Sequence, residues 1–328
     1  MNIPGFVDIQ VNGYLGHNFN GPDLTDETFA EACRALLATG TAAFVPTVST
    51  APLEIYERNL PLLARVAARD EFRGRVLGIH LEGPFLCPEP GARGAHNPDW
   101  MHPGDLDLLK RLLELADGHV RVLTVAPEVD GADTLARHAV EQGIAVSVSH
   151  TLATPDDLAR LVDAGATYFT HLGNGLPNLI HRHHNPIWAA LANDDLAVTI
   201  ITDSHHLPAE VVKTILRAKG VERCAVVSDA SHLAGLAPGR YSTPDNDVIL
   251  LEPSGKLHNP DKQCLVGSSA TMIQCMNHLA SLGILSAEDL LAVALHNPLR
   301  LLGLTEDNLC PSGAVSYDPA AGRFAAAP

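Results

Sequence analysis

Four polar residues suited to catalysis stand at the ends of short apolar runs in this chain. Glu82 ends one run, His150 and His171 end two others, and Asp229 lies near the end of a fourth. One carboxylate and two imidazoles are a set that holds a zinc-like ion and leaves one position open. Each histidine alone is more often a structural residue. Their coincidence at neighbouring run ends predicts a metal site.

Asp229 is suited to a different task. It follows apolar residues and precedes a turn. From such a position a carboxylate could take a proton from activated water and pass it to a leaving group. The alternative is that Asp229 caps the next helix, since aspartate is a favoured N-cap. A site of this kind suits hydrolysis of an amide or an ester, and the spacing alone does not choose between them.

The runs that carry these residues recur along the chain between amphipathic segments, which is typical of βα units. The eight runs lie at 5–11, 43–48, 75–83, 121–128, 145–150, 168–172, 197–203 and 224–230. They predict an α/β fold, a closed (β/α)8 barrel of the TIM type, whose active site lies at the carboxyl ends of the strands. An open doubly wound sheet is the alternative, disfavoured because "VNGYLG" lacks the spacing of a dinucleotide turn.

The barrel is expected to occupy residues 1–303. Within it, 241–262 is rich in turn formers and is predicted to be a loop or hairpin insertion. The remaining residues, 304–328, are predicted to be a short C-terminal tail, in which "AVSYDPAAGRFAAAP" is expected to be loosely held.

Composition restricts the partners and the environment. A net charge of −16 argues against nucleic acid, although a locally positive pocket could still take a small anion. No window holds the roughly 18 apolar residues of a membrane span, and the first residues do not resemble a secretory signal, so we expect a cytoplasmic protein without membrane contact. The six cysteines form no CxxC pair, which argues against a zinc knuckle or a disulfide framework.

Around the candidate residues, the chain resembles the N-acetylglucosamine-6-phosphate deacetylases of the amidohydrolase superfamily, from about Pro4 to Gly303. The resemblance rests on motifs that arrive in the family's order. They are "PGFVDIQVNG", "HLEGPF", "GAHNP", "VSHTLA", "THLGNGLP" and "VSDA".

The resemblance implies specific roles at the centre of the site. Glu82, His150 and His171 would bind one divalent metal ion, zinc or iron. Asp229 would be the catalytic base and acid. His96 would contact the sugar or polarise the acetamide carbonyl.

The resemblance also implies how an amino-sugar phosphate would be held. The backbone around Asn174 and Gly175 would help to bind the sugar, and Arg182 and His206 would bind the 6-phosphate. Members of the family are usually homodimers in which part of the phosphate site comes from the partner subunit, so a homodimer is expected here.

The opening strand bears on the number of metal ions. It holds Asp8 and Gln10 where many amidohydrolases have a His-x-His pair for a second metal. Glutamine there resembles the single-metal members of the family, which implies one ion.

The chain also departs from the family's pattern. The small β-sandwich that usually accompanies the barrel is expected to be absent or reduced. The residues after His171 read "GNGL", and those after Arg182 read "HHNP", where the family has other residues. The histidines His181, His183 and His184 could alter the phosphate site, bind an extra metal, or form a solvated loop.

Together with the candidate metal site, the resemblance implies a metal-dependent deacetylase acting on N-acetylglucosamine-6-phosphate. One alternative is an amidohydrolase of the same mechanism with another N-acyl sugar or amide as substrate. A second is a non-catalytic protein that binds a sugar phosphate, against which Asp229 argues, because a binder has no evident need of a base.

Overall fold

The structure is a computed structural model that describes residues 2–243, 246–311 and 313–326, with residues 246 and 247 described by their backbone alone. Its centre is a sheet of eight parallel strands, numbered here β1 to β8. They are Phe6–Val11, Thr41–Ser49, Ile79–Glu82, Val120–Val125, Ala145–Val148, Ala166–Phe169, Ala197–Ile201 and Cys224–Val227. Each pairs with the next along the chain, and a parallel bridge between Val11 and Ala230 links β1 to the end of β8. The predicted barrel is confirmed, and all eight runs are strands.

Helices follow the strands and cover the outside of the barrel. They are Asp26–Leu37, Leu53–Ala67, Leu106–Leu115, Ala132–Glu141, Pro155–Asp163, Pro186–Ala192, Ala209–Lys219 and Met272–Ser281. Capping residues explain several of their starts: Thr25 and Thr154 form capping boxes, and the Asn185 side chain accepts bonds from the first turn of its helix. The helices after Thr25 and Thr154 bury leucine, alanine and phenylalanine side chains toward the strands.

The region between β8 and the helix Met272–Ser281 forms an antiparallel sheet. It consists of Gly239–Thr243, Asn246–Leu251, Leu257–Asn259 and Cys264–Leu265. Leu233, Ile249, Leu251 and Leu257 form a small apolar cluster beneath this sheet. The described residues of the segment 241–262, which was predicted as a loop or hairpin insertion, lie within this sheet. After this sheet the chain returns to the barrel through the helices Ala287–Leu291 and Asn297–Leu301, with a π-helical turn, Ala292–His296, between them.

The C-terminal segment is more ordered than a loosely held tail. Val315–Asp318 and Arg323–Ala326 form a hairpin, and the first of these strands pairs with Asn2–Ile3. Phe324 is buried and meets Phe6 edge to face, with 5.2 Å between ring centroids. The predicted loose tail is therefore wrong for these residues, because burial of Val315 and Phe324 fastens the hairpin to the start of β1. Among the described residues, no helix combines the length and apolar content that crossing a membrane requires.

The barrel interior contains a buried polar layer below the carboxyl ends of the strands. The ring of His80 on β3 is fully buried, with Nδ1 3.3 Å from Thr47 Oγ1 and Nε2 2.6 Å from Thr124 Oγ1. Burial lowers the pKa of His80 to about 4 from its ordinary 6.5. The ring is therefore held neutral by its surroundings.

We expect His80 to make the fold sensitive to acid. Because the folded state resists protonation, the unfolded chain takes up a proton first as pH falls below 6.5. The stabilisation is fully present above pH 6.5 and is lost as pH falls toward 4, by up to about 3 kcal/mol. His80→Gln keeps hydrogen-bonding capacity but cannot titrate, so its unfolding free energy in urea should fall less between pH 7.5 and 4.5. Equal losses in the variant and the native chain would contradict this.

Candidate active site

The carboxyl ends of three strands bring Glu82, His150 and His171 together. The Nε2 atoms of His150 and His171 lie 3.5 Å and 3.0 Å from Glu82 Oε1. All three residues are buried, and one ligand atom from each lies within 4.8 Å of the others. Among the described residues, this is the only group of three or more histidine, cysteine or acidic side chains with that geometry. The predicted set therefore converges in space.

An unusual backbone conformation turns three of the site residues toward this point. His150, His171 and Asp229 have φ angles of 48°, 36° and 49°, in the left-handed region that side chains rarely adopt. Each lies two residues after the last residue of its strand. Non-glycine residues held there cost conformational energy and cluster at functional sites.

Neighbouring groups fix the orientation of the cluster. His150 Nδ1 donates to the Ala92 carbonyl at 2.9 Å, which leaves Nε2 toward Glu82. Gln10 Nε2 donates to Glu82 Oε1 at 2.8 Å. Burial alone would raise the pKa of Glu82, but hydrogen bonds and charges from His150 and His171 outweigh it and hold that pKa well below its ordinary value. The carboxylate is thus charged and ready to bind a cation.

These residues suit a divalent metal ion. Two imidazoles and one carboxylate are a known ligand set for zinc with an open position. The backbone bond of His150 is the outer contact that metal-binding histidines usually make. Gln10 Oε1 is buried without a hydrogen-bond partner among the described residues, so the site still has a polar atom to satisfy.

Asp229 stands beside this cluster. Burial, and then the negative charge of Glu82, raise the pKa of Asp229 to about 7. Asn12 Nδ2 donates to Asp229 Oδ1 at 2.6 Å. One carboxylate oxygen is therefore held by Asn12, and the other is left for proton transfer near neutral pH.

His96 reaches the same region from the loop after β3. Its ring lies against that of His150, with 4.4 Å between centroids, and its Nδ1 is 3.0 Å from Thr50 Oγ1. Burial, and then the proximity of His150, lower the pKa of His96 to about 3. The imidazole is neutral at neutral pH and can act as a hydrogen-bond donor from one ring nitrogen.

Comparison with known proteins decides the family. No family model matches the chain. The chain is 32% identical over 314 residues to N-acetylglucosamine-6-phosphate deacetylase of Bos taurus, which covers 92% of this chain and 74% of the relative. The chain belongs to the N-acetylglucosamine-6-phosphate deacetylase family. It is also 30% identical over 305 residues to N-acetylgalactosamine-6-phosphate deacetylase of Escherichia coli O157:H7, covering 92% of this chain and 78% of that protein.

A solved structure from this deacetylase family extends the comparison to the fold. An aspartate-to-alanine mutant of the Mycobacterium smegmatis N-acetyl-D-glucosamine-6-phosphate deacetylase, in complex with N-acetyl-D-glucosamine-6-phosphate, has a TM-score of 0.86 with 30% sequence identity. The match covers 98% of this chain and 86% of that one.

Asn174 and Gly175, predicted sugar contacts, lie directly beside two of the candidate metal ligands, His171 and His150. Asn174 Nδ2 donates to the His171 carbonyl at 3.1 Å. Gly175 has φ +63°, and a Cβ added there would lie 2.8 Å from His150 Nδ1. A side chain at this position would press on the atom that bonds to Ala92.

We therefore expect Gly175→Ala to weaken metal binding. Gly283 has the same φ of +63°, but an added Cβ there meets nothing within 4 Å, which makes Gly283→Ala a matched control. Both alanines cost roughly 1–2 kcal/mol of backbone strain. Only Gly175→Ala should also raise the zinc dissociation constant, by about tenfold or more, because it moves a ligand. Equal zinc affinity in the two variants, measured by competition with a chelator, would show that His150 tolerates the contact.

The two residues predicted to bind phosphate differ in burial: the His206 side chain is buried, whereas Arg182 is exposed. The side chains of His206 and Asp203 are 5% and 3% exposed, and His206 Nδ1 lies 2.8 Å from Asp203 Oδ2. Burial alone would raise the pKa of Asp203, but His206 holds that pKa at about 2. Arg182 instead lies on an exposed loop, and none of the described residues forms an ion pair with it.

The histidines next to Arg182 order their own loop. His181 Nδ1 accepts bonds from the backbone N–H groups of His183 and His184, at 3.2 and 3.0 Å. His181, His183 and His184 are exposed, and within the described residues they do not form a convergent metal-binding group. The extra-metal alternative for this loop therefore finds no support here.

The opening strand contributes to the site through residues that come after Asp8. The Asp8 carboxylate accepts bonds from the backbone N–H and the hydroxyl of Ser228. Gln10 on β1 reaches Glu82, and Asn12, which directly follows the last residue of β1, reaches Asp229. The reason is the period of two along a strand, which places Asp8 one layer deeper. That same period could have identified Asn12.

Proposed function

We propose that this chain hydrolyses the acetamide of N-acetylglucosamine-6-phosphate to acetate and glucosamine-6-phosphate. The observation that carries the proposal is the convergence of Glu82, His150 and His171 beside Asp229, in a chain of this deacetylase family. The substrate named for the bovine and mycobacterial relatives supplies the choice of sugar.

The proposal includes one divalent ion, zinc or iron, held by Glu82, His150 and His171. When bound, such an ion polarises an amide carbonyl and makes water a stronger acid. Gln10 would hold the Glu82 carboxylate in place through its 2.8 Å hydrogen bond.

Asp229 would move the protons. As water attacks the acetamide carbonyl carbon, the free carboxylate oxygen of Asp229 takes a proton from that water. Asn12 meanwhile keeps the other oxygen occupied. Asp229 then returns the proton to the amide nitrogen as the carbon–nitrogen bond breaks, which releases acetate and the free amine. Burial, and then the charge of Glu82, raise the pKa of Asp229 to about 7 in the metal-free site, which favours a group that both accepts and gives a proton at neutral pH.

The remaining residues would orient the substrate. His96 donates a hydrogen bond to the carbonyl oxygen, where negative charge develops during attack. Arg182 and His206 bind the 6-phosphate, and Asn174 and Gly175 line the sugar. Of these residues, Arg182 supplies permanent local positive charge on a chain whose net charge is −16.

A second candidate is the same reaction on another N-acyl sugar. The similarity to a protein named N-acetylgalactosamine-6-phosphate deacetylase favours this candidate. The altered loop from Gly173 to Pro186 favours it too, because it contains Asn174, Gly175 and Arg182.

We further propose that the catalytic unit is the barrel of residues 1–303, with 304–328 as a C-terminal extension, and that the subunits form a homodimer. The free cysteines, most of them buried, suit a reducing compartment such as the cytoplasm.

A substrate panel tests the choice of sugar. Acetate release would be measured with N-acetylglucosamine-6-phosphate, its galactosamine epimer, and both unphosphorylated sugars. We expect kcat/KM to be highest for N-acetylglucosamine-6-phosphate and at least about a hundredfold lower without phosphate, since a charge-assisted contact is lost. A preference for the epimer would favour the second candidate. Binding without acetate release from any member would indicate a non-catalytic protein.

A further inference from the structure

We propose that Thr50 is a positioning residue that fixes the tautomer of His96, so that His96 presents an N–H to the substrate carbonyl. The inference rests on the proposed function for what His96 donates to, but the tautomer itself is a property of the free protein. It follows from the arrangement of Thr50, Gly83 and His96 at the carboxyl ends of β2 and β3.

Thr50 is held where it can bond only to His96. It follows the last residue of β2 and is 5% exposed. Among the described residues, its hydroxyl has one hydrogen-bond partner, His96 Nδ1, at 3.0 Å. Gly83 closes the other side: a Cβ added to Gly83 would lie 2.4 Å from Thr50 Oγ1. The hydroxyl is therefore confined between the Gly83 backbone and the imidazole.

This confinement decides which group donates. A hydroxyl carries one hydrogen, and a buried donor without an acceptor is strongly disfavoured. In the described structure the only acceptor available to the Thr50 hydroxyl is His96 Nδ1, so the hydroxyl donates and Nδ1 carries no proton. A neutral imidazole has one protonated nitrogen, and the proton must then be on Nε2.

The tautomer matters because a carbonyl oxygen only accepts hydrogen bonds. The His96 ring lies against His150, with 4.4 Å between centroids, which places it beside the metal-ligand cluster. When the proton is on Nε2, this nitrogen, which makes no bond to Thr50, can donate a hydrogen bond toward that region. With the opposite tautomer, the same nitrogen would present a lone pair to the carbonyl oxygen and would repel it.

The test compares two changes at Thr50. Thr50→Val keeps the shape and removes the hydroxyl, whereas Thr50→Ser keeps the hydroxyl. We expect Thr50→Val to lower kcat about tenfold to a hundredfold with little change in KM, since the effect falls on the transition state. Thr50→Ser should stay within about threefold of the native chain. Thr41→Val, at the opposite end of the same strand and 3% exposed, controls for loss of a buried threonine hydroxyl.

A direct readout is independent of turnover. Nitrogen NMR of zinc-loaded protein carrying 15N-labelled histidine distinguishes the two tautomers, and His96→Asn assigns the signals. The native chain and Thr50→Ser should show His96 protonated at Nε2, and Thr50→Val should lose this preference. A proton on Nδ1 in the native chain, or native kcat in Thr50→Val, would overturn the proposal. If the native chain releases no acetate, the proposed function fails while the NMR result still decides the tautomer.

Discussion

Asp229→Asn is expected to lower the kcat for acetate release by about a thousandfold or more, because general acid–base catalysis contributes roughly 10²–10⁴-fold and here one group serves both steps. Asparagine has the same shape and can still accept the bond from Asn12, so the site geometry should be kept. Asp195→Asn, at an exposed position, is the matched control and should retain native activity. Retention of more than a tenth of the activity in Asp229→Asn would remove Asp229 from the mechanism.

The same variant has an expected effect on stability, with the opposite sign to its effect on activity. The folded pKa of Asp229 is about 7, above its ordinary 3.8, so in the metal-free protein the folded state disfavours the ionised carboxylate. Stability from the neutral acid is fully present below pH 3.8 and is lost as pH rises to 7. Above pH 7, metal-free Asp229→Asn should therefore unfold at a higher urea concentration than the native chain. Its free energy of unfolding should be larger by up to about 4 kcal/mol. A lower midpoint would indicate a structural role instead.

Glu82→Gln is expected to abolish metal retention and with it the activity. Glu82 is the only carboxylate of the cluster. It stays ionised because hydrogen bonds and charges from His150 and His171 outweigh burial and lower its pKa. A ligand at a hundred times its dissociation constant stabilises the folded state by about 2.7 kcal/mol. Zinc should therefore raise the melting temperature of the stripped native chain but not that of Glu82→Gln.

Glu128→Gln provides the control for Glu82→Gln. Glu128 is a partly buried carboxylate after β4 that accepts bonds from Thr151 and from the backbone N–H of Leu152, outside the cluster. The Glu128→Gln variant should bind as much zinc as the native chain, as measured by elemental analysis after dialysis. One retained ion per subunit in Glu82→Gln would contradict the assignment of the ligands.

Much of the fold follows from local signals in the sequence. Each strand is a short apolar run with polar residues after it, and the helices begin at caps such as Thr25 and Thr154. Because every strand of a parallel barrel ends at the same face, run-end residues such as Glu82 and His171 were predicted to meet. That prediction needed no knowledge of long-range contacts.

The rest depends on contacts that are distant in sequence. The terminal hairpin pairs residues Val315 and Ser316 with Ile3 and Asn2, and no local pattern indicates that pairing. The residue types around His150 and Asp229 also do not indicate the left-handed backbone at these positions, because the surrounding barrel imposes that conformation. The contact between Asn12 and Asp229 was not predicted for a related reason, because the depth of a strand residue depends on where its neighbours end.

The most direct test of the account is acetate release from N-acetylglucosamine-6-phosphate as zinc is added back to the stripped protein. The rate should rise in proportion to bound zinc, level off at one ion per subunit, and yield equal amounts of acetate and free amine. Full activity in protein without metal, or a rate that rises only after a second ion binds, would contradict single-ion hydrolysis at Glu82, His150 and His171.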